Sequence, residues 1–341
     1  TCARTSGGYV SMLQSLLGED VFDVINFGKS GRTMLRHSHC QPPAEFRRLH
    51  GAMADGGRLY EQQHAQAARG ADDDAGGHEE LAAVLEGGGG GDAASRQSVL
   101  RKHGASADSD CSYWETGLLD EVKESQPDIV IIMLGTNDAK AFNWFEGLRA
   151  EVRRRSDSSS SSSSSTDSGG ASSREREYVR AYKEMVAQLQ ALRSRPRILL
   201  GVPPPLYSPY PYLMDVSVIN ARLPELIRQV ASESAEEVQV VDLFETLGGR
   251  AQRRPELSCD GCHLTEEAYA MVAALFKDRI LHMLHNYTAA VDGATDDDDD
   301  GDGDDAERHR SSSDRLRRWR MTQWLLQTYR ERDGAHTAAQ A

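Results

Sequence analysis

Short apolar runs alternate along this chain with longer segments in which apolar residues recur at helical spacing. Runs rich in Val, Ile and Leu predict strands at residues 21–27, 128–134, 197–202 and 238–243. Apolar residues three or four positions apart predict helices at residues 9–17, 113–126, 178–192, 219–230 and 264–285. Strands that alternate with helices are typical of an α/β protein with a doubly wound parallel sheet inside a three-layer sandwich.

The run at residues 128–134 has the character of a strand that is buried on both faces. It is rich in Ile and Val, it shows no helical period, and it ends at Gly135. Thr136, Asn137 and Asp138 follow directly. Ligands of open α/β sheets bind at the carboxyl ends of the strands, so these polar side chains are expected at the functional edge. An ordinary polar turn after a strand is the alternative interpretation.

Composition divides the chain into one folded domain and several segments that are not expected to join its core. The domain, residues 1–290, is interrupted by two insertions that are too poor in large apolar residues to offset the entropy of ordering. These insertions, predicted to be disordered, cover residues 37–110, rich in Gly, Ala and Asp, and residues 145–174, which contain a serine run. After the domain we predict a disordered acidic and Ser-rich linker at 291–313, a basic amphipathic helix at 314–332 and a disordered end at 333–341.

The net charge excludes one class of partner. The chain has 341 residues and a formal net charge of −14, and much of the acidity lies in residues 296–305. An acidic protein of this kind is a poor nucleic-acid binder, so no nucleic-acid partner is expected. No apolar run approaches the roughly 18 residues that span a bilayer. For the helix at 314–332, loose attachment to the domain is favoured over contact with a membrane surface or a partner.

Cysteine and acidic clusters offer three weak metal motifs. The five cysteines are an odd number, and their scatter predicts no disulfide framework. The His and Cys residues at 37–40 lack partner ligands at the spacing of a zinc site, as does the pair Cys259 and Cys262. Residues 296–307 satisfy the EF-hand pattern, but an aspartate run does so by chance. We therefore expect no metal and no other cofactor.

A second polar stretch offers acid–base chemistry. Asp260 stands three residues before His263, in a predicted loop that opens a helix. A carboxylate at this spacing can bond the imidazole Nδ1 and leave Nε2 as a general base. A helix N-cap followed by a surface histidine is the alternative. The backbone N–H of Gly31 and the side-chain amide of Asn137 are donors of the type that an oxyanion hole requires.

Taken together, these pieces resemble blocks two, three and five of the SGNH/GDSL hydrolases, at residues 26–35, 134–140 and 260–265. The resemblance is greatest to the sialate O-acetylesterase-like branch, which also has counterparts of Trp114, Asn143-Trp144 and the prolines at 203–205. It implies a flavodoxin-like three-layer α/β/α sandwich with strand order 2-1-3-4-5, and ester hydrolysis without a metal. Residue by residue, Gly31 and Asn137 resemble the oxyanion-hole donors, His263 the general base and Asp260 the residue that orients it.

The chain departs from the family pattern at its start. The family's nucleophilic serine lies in a Gly-Asp-Ser block at the end of the first strand, whereas the first helix predicted here begins at Tyr9. Ser6 fits a helix N-cap and Ser11 lies within the helix, so neither replaces the nucleophile. Since the first residue is Thr1 rather than Met, the start is either processed or missing, and we interpret the chain as a fragment without its first strand. A gap between residues 21–27 and 128–134 is then expected, or a non-native pairing that closes it.

Two functions remain in competition. The first is a serine ester hydrolase of SGNH type that releases short acyl groups, such as acetyl, from a carbohydrate or a similar small ester. The second is a catalytically inactive glycan-binding module that lacks the nucleophile. A Gly-Asp-Ser block in the natural protein distinguishes the first from the second. The sequence leaves the oligomeric state open, and it leaves the compartment open too, with a secretory or extracellular location among the alternatives.

Overall fold

The computed structural model describes residues 8–43, 46, 80–86, 111–144, 172–209, 211–234, 238–293 and 327, with the backbone alone for 80–86 and 287–293. The strands are β1 (Phe22–Asn26), β2 (Glu80–Glu86), β3 (Ile129–Met133), β4 (Arg197–Gly201) and β5 (Val238–Val241). The helices are α1 (Gly8–Leu17), α2 (Leu118–Ser125), α3 (Ala141–Trp144), α4 (Ser173–Gln190), α5 (Leu223–Ser232), α6 (Leu243–Thr246) and α7 (Glu266–Gly293). Short helical turns cover Tyr113–Glu115, Asn137–Ala139, Pro211–Leu213, Val218–Arg222, Gly249–Ala251 and Pro255–Leu257.

The strands form one sheet in the order β1-β2-β3-β4-β5. β3 pairs with β4 in parallel, and β4 pairs with β5 in parallel. β2 is antiparallel to both of its neighbours, so β1 runs in the same direction as β3, β4 and β5. The predicted α/β fold with a parallel sheet is confirmed, and the carboxyl ends of four strands meet at one edge.

The position between β1 and β3 is filled by β2. Its backbone pairs Val84 with Val24 of β1, and Ala82 with Ile131 of β3. Of the two expected outcomes, a gap or a pairing that closes it, the structure shows the pairing. Both neighbours present a row of N–H and C=O groups that need partners, and an inserted strand supplies them.

This strand corrects the interpretation of residues 37–110 as a disordered insertion. That interpretation is wrong for residues 37–43, which continue the loop after β1, and for Glu80–Glu86, which form β2. The second insertion ends earlier than predicted, because α4 begins at Ser173 with Ser172 as its N-cap. A reciprocal capping box with Glu175 defines this helix start: the Glu175 N–H donates to Ser172 Oγ, and the Ser172 N–H to Glu175 Oε2. The rest of both insertions lies outside the described residues.

The end of the domain also differs slightly from the prediction. α7 continues to Gly293, past the boundary placed at residue 290. Apart from Gln327, which is helical and exposed, the linker, the basic helix and the end of the chain lie outside the described residues, so those boundaries stay predictions. Within the part of the chain that the structure describes, no helix is long and apolar enough to cross a bilayer.

The strand β3 divides the core into two halves, because successive side chains of a strand point to opposite faces. All five of its residues are buried. Val130 and Ile132 join a cluster with α2, α4 and α5, whose inner side chains include Val122, Tyr182 and Ile227. Ile129, Ile131 and Met133 join a second cluster with α1 and α7, whose inner side chains include Leu13, Phe276 and Ile280. The sheet therefore lies between two helical layers, as predicted.

A disulfide joins Cys40 to Cys111 across a sequence separation of 71 residues. It ties the loop after β1 to the segment that leads into α2. Cys259 is disulfide-bonded as well, and Cys262 is buried. The expectation that the cysteines form no disulfide framework was therefore wrong. Spacing along the sequence does not reveal which cysteines the fold brings together.

Replacing both Cys40 and Cys111 by serine is expected to lower the free energy of unfolding by about 4 kcal/mol, the chain-entropy value for a loop of this length. Urea denaturation of the oxidised wild type and of the double variant measures the difference. Either single variant breaks the same bond and should lose nearly as much as the double variant. A loss below about 1 kcal/mol would contradict a stabilising role for this bond.

Candidate active site

The loop before α7 brings Asp260 and His263 into direct contact. The imidazole Nδ1 lies 2.6 Å from Asp260 Oδ2. The other carboxylate oxygen, Oδ1, accepts the backbone N–H groups of Cys262 and His263 at 2.9 and 2.7 Å. The Asp260 side chain is 10% exposed and that of His263 is 40% exposed. With Nδ1 bonded to the carboxylate, Nε2 is the nitrogen through which the ring can accept a proton.

The local backbone forces this proximity. Gly261, between the two residues, has a φ of +89°, which favours glycine. A Cβ at this position would lie 1.9 Å from Ser208 Oγ, so a larger residue cannot be accommodated without a shift. The Gly261 N–H donates to Ser258 Oγ at 2.9 Å, and the Cys259 N–H donates to the His263 carbonyl, also at 2.9 Å. The result is a tight turn that keeps the acid and the imidazole on the same side.

Tyr212 contacts both members of this pair. Its hydroxyl donates to Asp260 Oδ2 at 2.7 Å, and its ring meets the His263 ring edge to face with centroids 5.1 Å apart. This tyrosine was not predicted from the sequence, because no motif contains it. The available signal was its place in a loop rich in proline and tyrosine after β4, at the edge where ligands bind.

The ionisation of Asp260 follows from these contacts. Burial raises the pKa of its carboxyl, but the hydrogen bonds and the charge of His263, with the hydroxyl of Tyr212, outweigh burial and hold the pKa below its ordinary value. The carboxyl is therefore ionised at neutral pH. An ionised Asp260 can orient the imidazole and stabilise the imidazolium that forms when His263 takes a proton.

The Asp260→Asn variant is expected to be less stable than the wild type at pH 7. A carboxyl whose pKa is depressed by folding adds stability above its unfolded-state pKa, about 3.9, and this stability is lost as the pH falls through the folded-state value. The difference between the two proteins should therefore shrink as the pH falls below about 4. Denaturation curves at a series of pH values measure it. A difference that is independent of pH would contradict this role of the carboxylate.

The short turn after β3 carries Asn137 and Asp138. Asp138 is fully buried, and its two carboxylate oxygens accept the backbone N–H groups of Met34 and Leu35 at 2.9 and 2.7 Å. Burial raises the pKa of Asp138 to about 7, against the opposing effect of these two donors. These hydrogen bonds of Asp138 therefore hold the loop after β1 against the turn that contains Asn137. The position of this residue at the functional edge was predicted from the sequence, but its hydrogen-bond partners were not.

Gly31 lies in the loop after β1, the loop whose backbone Asp138 bonds. Its φ is +79°, and among the described residues other than its two chain neighbours no heavy atom lies within 4 Å of the place that a Cβ would occupy. Two residues later the chain is held against the segment before α2: the Thr33 N–H donates to the Cys111 carbonyl, and the Tyr113 N–H to the Thr33 carbonyl, both at 2.9 Å. Backbone hydrogen bonds thus support the loop that contains the turn at Gly31.

Direct contacts connect the turn after β3 to the Asp260 and His263 loop. The Asp215 N–H donates to the Ala139 carbonyl at 2.8 Å, and Lys140 pairs with Met214 in an isolated bridge. On the other side of the same segment, Met214 Sδ lies 4.0 Å from Cys262 Sγ. The loops after β1, β3 and β4 and the loop before α7 therefore form one cluster at the carboxyl edge of the sheet.

All four site residues predicted from the sequence lie in this cluster. Asp260 and His263 contact each other directly, and Tyr212 donates to Asp260. The segment after Tyr212 reaches the turn of Asn137 through the bridge between Met214 and Lys140. Asp138, in that turn, bonds the loop that contains Gly31. Chemically, the cluster combines an oriented imidazole with N–H donors of the type that bind an oxyanion. Their assignment as catalytic groups stays a prediction.

The structure describes two of the three weak metal motifs. Cys40 forms a disulfide with Cys111, so its sulfur is not available as a metal-binding thiolate in the cluster at residues 37–40. Cys259 is likewise disulfide-bonded, so it cannot act with Cys262 as a dithiol. Among the described residues, no three His, Cys, Asp or Glu side chains come together as a group that could hold a metal ion. The aspartate run at 296–307 lies outside those residues.

A model of the GDSL-like Lipase/Acylhydrolase family matches residues 67–271, which is more than half of the chain. The matched range contains Asn137, Asp260 and His263, and Gly31 lies before it. A comparison with curated proteins finds no match.

Solved structures show a weaker similarity. A carbohydrate esterase family 3 protein from Talaromyces cellulolyticus is 18% identical, with a TM-score of 0.30. The alignment covers 48% of this chain and 62% of the other protein, which is less than two thirds of its length. A protein described as a putative platelet activating factor from Streptococcus pneumonia is 16% identical, with a TM-score of 0.32 over 48% and 67% of the two chains. A mutant acetyl esterase with an acetate ion is 15% identical, with a TM-score of 0.32 over 55% and 78%.

Proposed function

Because the chain belongs to the GDSL-like lipase/acylhydrolase family, we propose that it acts as a serine ester hydrolase with His263 as the general base. The observation that carries the proposal is the bond of 2.6 Å between His263 Nδ1 and Asp260 Oδ2. A carboxylate on Nδ1 fixes the tautomer in which Nε2 accepts the proton of a nucleophile. The adjoining loops supply donors where negative charge develops during attack on an ester.

The proposed reaction has two acyl-transfer steps. In the first, a serine hydroxyl attacks the ester carbonyl, its proton passes to His263 Nε2, and Asp260 stabilises the imidazolium. The Gly31 N–H and the Asn137 amide donate to the tetrahedral oxyanion. When the carbon–oxygen bond of the ester breaks, the leaving alkoxide takes the proton from His263, and the acyl group stays on the serine. In the second step, water attacks the acyl-serine with the same proton route, which frees the acid and restores the serine.

The nucleophile is assigned by resemblance alone. The tripeptide Gly-Asp-Ser does not occur in residues 1–341. By the resemblance the nucleophile is the serine of such a block, and sequencing the 5′ end of the transcript shows whether the natural protein contains it. The structure supports the other partners of the reaction, since the loop cluster at the carboxyl edge contains the imidazole, its carboxylate and both donors.

The finer part of the proposal is that the substrate is a short acyl ester, such as an acetyl ester, of a carbohydrate. It rests on the sequence resemblance that includes Trp114 and Asn143. Both side chains bond the loop after β1. The Trp114 indole N–H donates to the Met34 carbonyl at 3.1 Å. The Asn143 amide N–H donates to the His39 carbonyl at 3.1 Å, and the Asn143 amide oxygen accepts the His39 N–H at 2.7 Å. These residues therefore stabilise the loop that presents Gly31.

A glycan-binding module without catalysis is the second candidate. The observation that favours it is that residues 1–341 contain no Gly-Asp-Ser tripeptide. Such a module would keep the loop cluster for recognition and would bind an acylated glycan without releasing the acid. Binding without turnover distinguishes it from the esterase.

The substrate proposal is tested by acid release from a panel of esters. The natural protein, with any residues that its gene adds to these 341, is incubated with O-acetylated oligosaccharides and with long-chain acyl esters, and the released acid is quantified. We expect acetate release from the oligosaccharides to exceed hydrolysis of the long-chain esters. The reverse preference would overturn the substrate, and binding of the acetylated oligosaccharide without acetate release would favour the second candidate.

A further inference from the structure

Tyr212 touches both members of the Asp260 and His263 pair. Its hydroxyl donates to Asp260 Oδ2, the same oxygen that bonds His263 Nδ1. Its ring lies against the imidazole at an interplanar angle of 82°. One side chain thus constrains the position of the carboxylate through a hydrogen bond and the position of the ring through packing.

The backbone at Tyr212 adopts a conformation that its sequence disfavours. Tyr212 has a φ of +53° and Leu213 a φ of +62°, both in the left-handed region that non-glycine residues rarely adopt. Such residues persist only where the surrounding structure determines them, and they cluster at functional sites. The strain at this position therefore favours a functional role for the tyrosine over an incidental contact.

The segment that carries Tyr212 is anchored on both sides. The Met214 N–H donates to the Pro211 carbonyl at 2.9 Å and closes the turn, and the Asp215 N–H donates to the Ala139 carbonyl at 2.8 Å in the turn after β3. Upstream, the Tyr207 N–H donates to the Gly261 carbonyl at 2.8 Å. The segment that carries Tyr212 is thus held against both the turn after β3 and the loop before α7.

We propose that Tyr212 is a positioning residue for ester hydrolysis, which fixes Asp260 and the ring of His263 in the geometry that general-base catalysis requires. This inference rests on the proposed function. The hydroxyl shares the negative charge of Oδ2 with the Nδ1 proton, so the carboxylate stays ionised and the proton stays on the imidazole. The ring limits rotation of His263 away from the substrate.

The test compares Tyr212→Phe with Tyr207→Phe in the natural protein. Tyr212→Phe keeps the ring and removes the donor to Asp260. The matched control also removes a tyrosine hydroxyl from the same loop, but the Tyr207 hydroxyl donates to the Leu247 carbonyl. For 4-nitrophenyl acetate, Tyr212→Phe is expected to lower kcat by about 10-fold, the loss of one hydrogen bond to a charged group, with KM nearly unchanged. Tyr207→Phe should leave kcat unchanged.

A second readout does not depend on turnover. Loss of a donor to the ionised carboxylate should raise the pKa of Asp260, which a carboxyl carbon NMR titration of Tyr212→Phe measures against the wild type and Tyr207→Phe. A rise in Tyr212→Phe alone, together with the lower kcat, supports the inference. An unchanged Asp260 titration, or an unchanged kcat, overturns it. If the natural protein hydrolyses no ester, the proposed function fails, whereas the Asp260 titration still decides whether Tyr212 controls the carboxylate.

Discussion

Replacing His263 by alanine is expected to lower kcat/KM for ester hydrolysis by about 10²–10⁴-fold, the contribution typical of a positioned general base. The imidazole is the group in the loop cluster that can take the proton of a nucleophile, and its Nδ1 is already bonded to Asp260 at 2.6 Å. Without it the serine hydroxyl remains protonated and weakly nucleophilic. Hydrolysis of 4-nitrophenyl acetate by the natural protein and by the variant measures the loss.

His282 provides a matched control for this substitution. It lies on α7, downstream of His263, and it is exposed. The His282→Ala variant removes an imidazole without touching the loop cluster, so its rate should equal that of the wild type. A His263→Ala variant that turns over ester as fast as His282→Ala would show that the base is misassigned.

Replacing Asn137 by alanine is expected to lower kcat by about 10²–10³-fold, the loss typical of one oxyanion donor. The amide would act mainly in the transition state, where the carbonyl oxygen gains negative charge, so kcat should fall far more than KM rises. Asn137→Asp keeps the shape of the side chain and removes the donor, and it should lose at least as much activity. Steady-state kinetics with 4-nitrophenyl acetate separate the two parameters.

The surface variant Asn286→Ala serves as the control for Asn137. Asn286 is exposed on α7, and its amide contacts His282. This variant should keep the kcat of the wild type. If Asn137→Ala raised KM and left kcat unchanged, the amide would bind the ground state of the substrate and would not be an oxyanion donor.

Much of the fold could be predicted because its signals are local. β1, β3, β4 and β5 lie where runs of branched apolar residues predict them, and α1 and α7 follow apolar positions at helical spacing. The contact between Asp260 and His263 was predictable for the same reason, since a spacing of three residues in a turn brings the two side chains together. Even Pro224, inside a predicted helix, is accommodated, because it lies in the first turn of α5, directly after the separate helical turn at Val218–Arg222.

The features that sequence reasoning missed depend on residues far apart in the chain. β2 forms in a segment without a strand pattern because two neighbouring strands offer unpaired backbone groups. Asp138 bonds the backbone of Met34 and Leu35, which precede it by more than a hundred residues. Likewise the Tyr212 hydroxyl reaches Asp260 only because the loop after β4 folds over the loop before α7. Such contacts follow from the tertiary fold, and no local pattern encodes them.

Covalent labelling with a fluorophosphonate tests whether His263 is the general base of a serine nucleophile, because this reagent forms a stable adduct with a serine only when a general base activates it. The natural protein, its His263→Ala variant and its His282→Ala variant are labelled, and mass spectrometry locates the modified residue. The general-base role of His263 predicts that one serine is labelled stoichiometrically in the wild type and in His282→Ala, and that labelling is lost in His263→Ala. Absence of labelling in the wild type, or labelling that persists in His263→Ala, would contradict it.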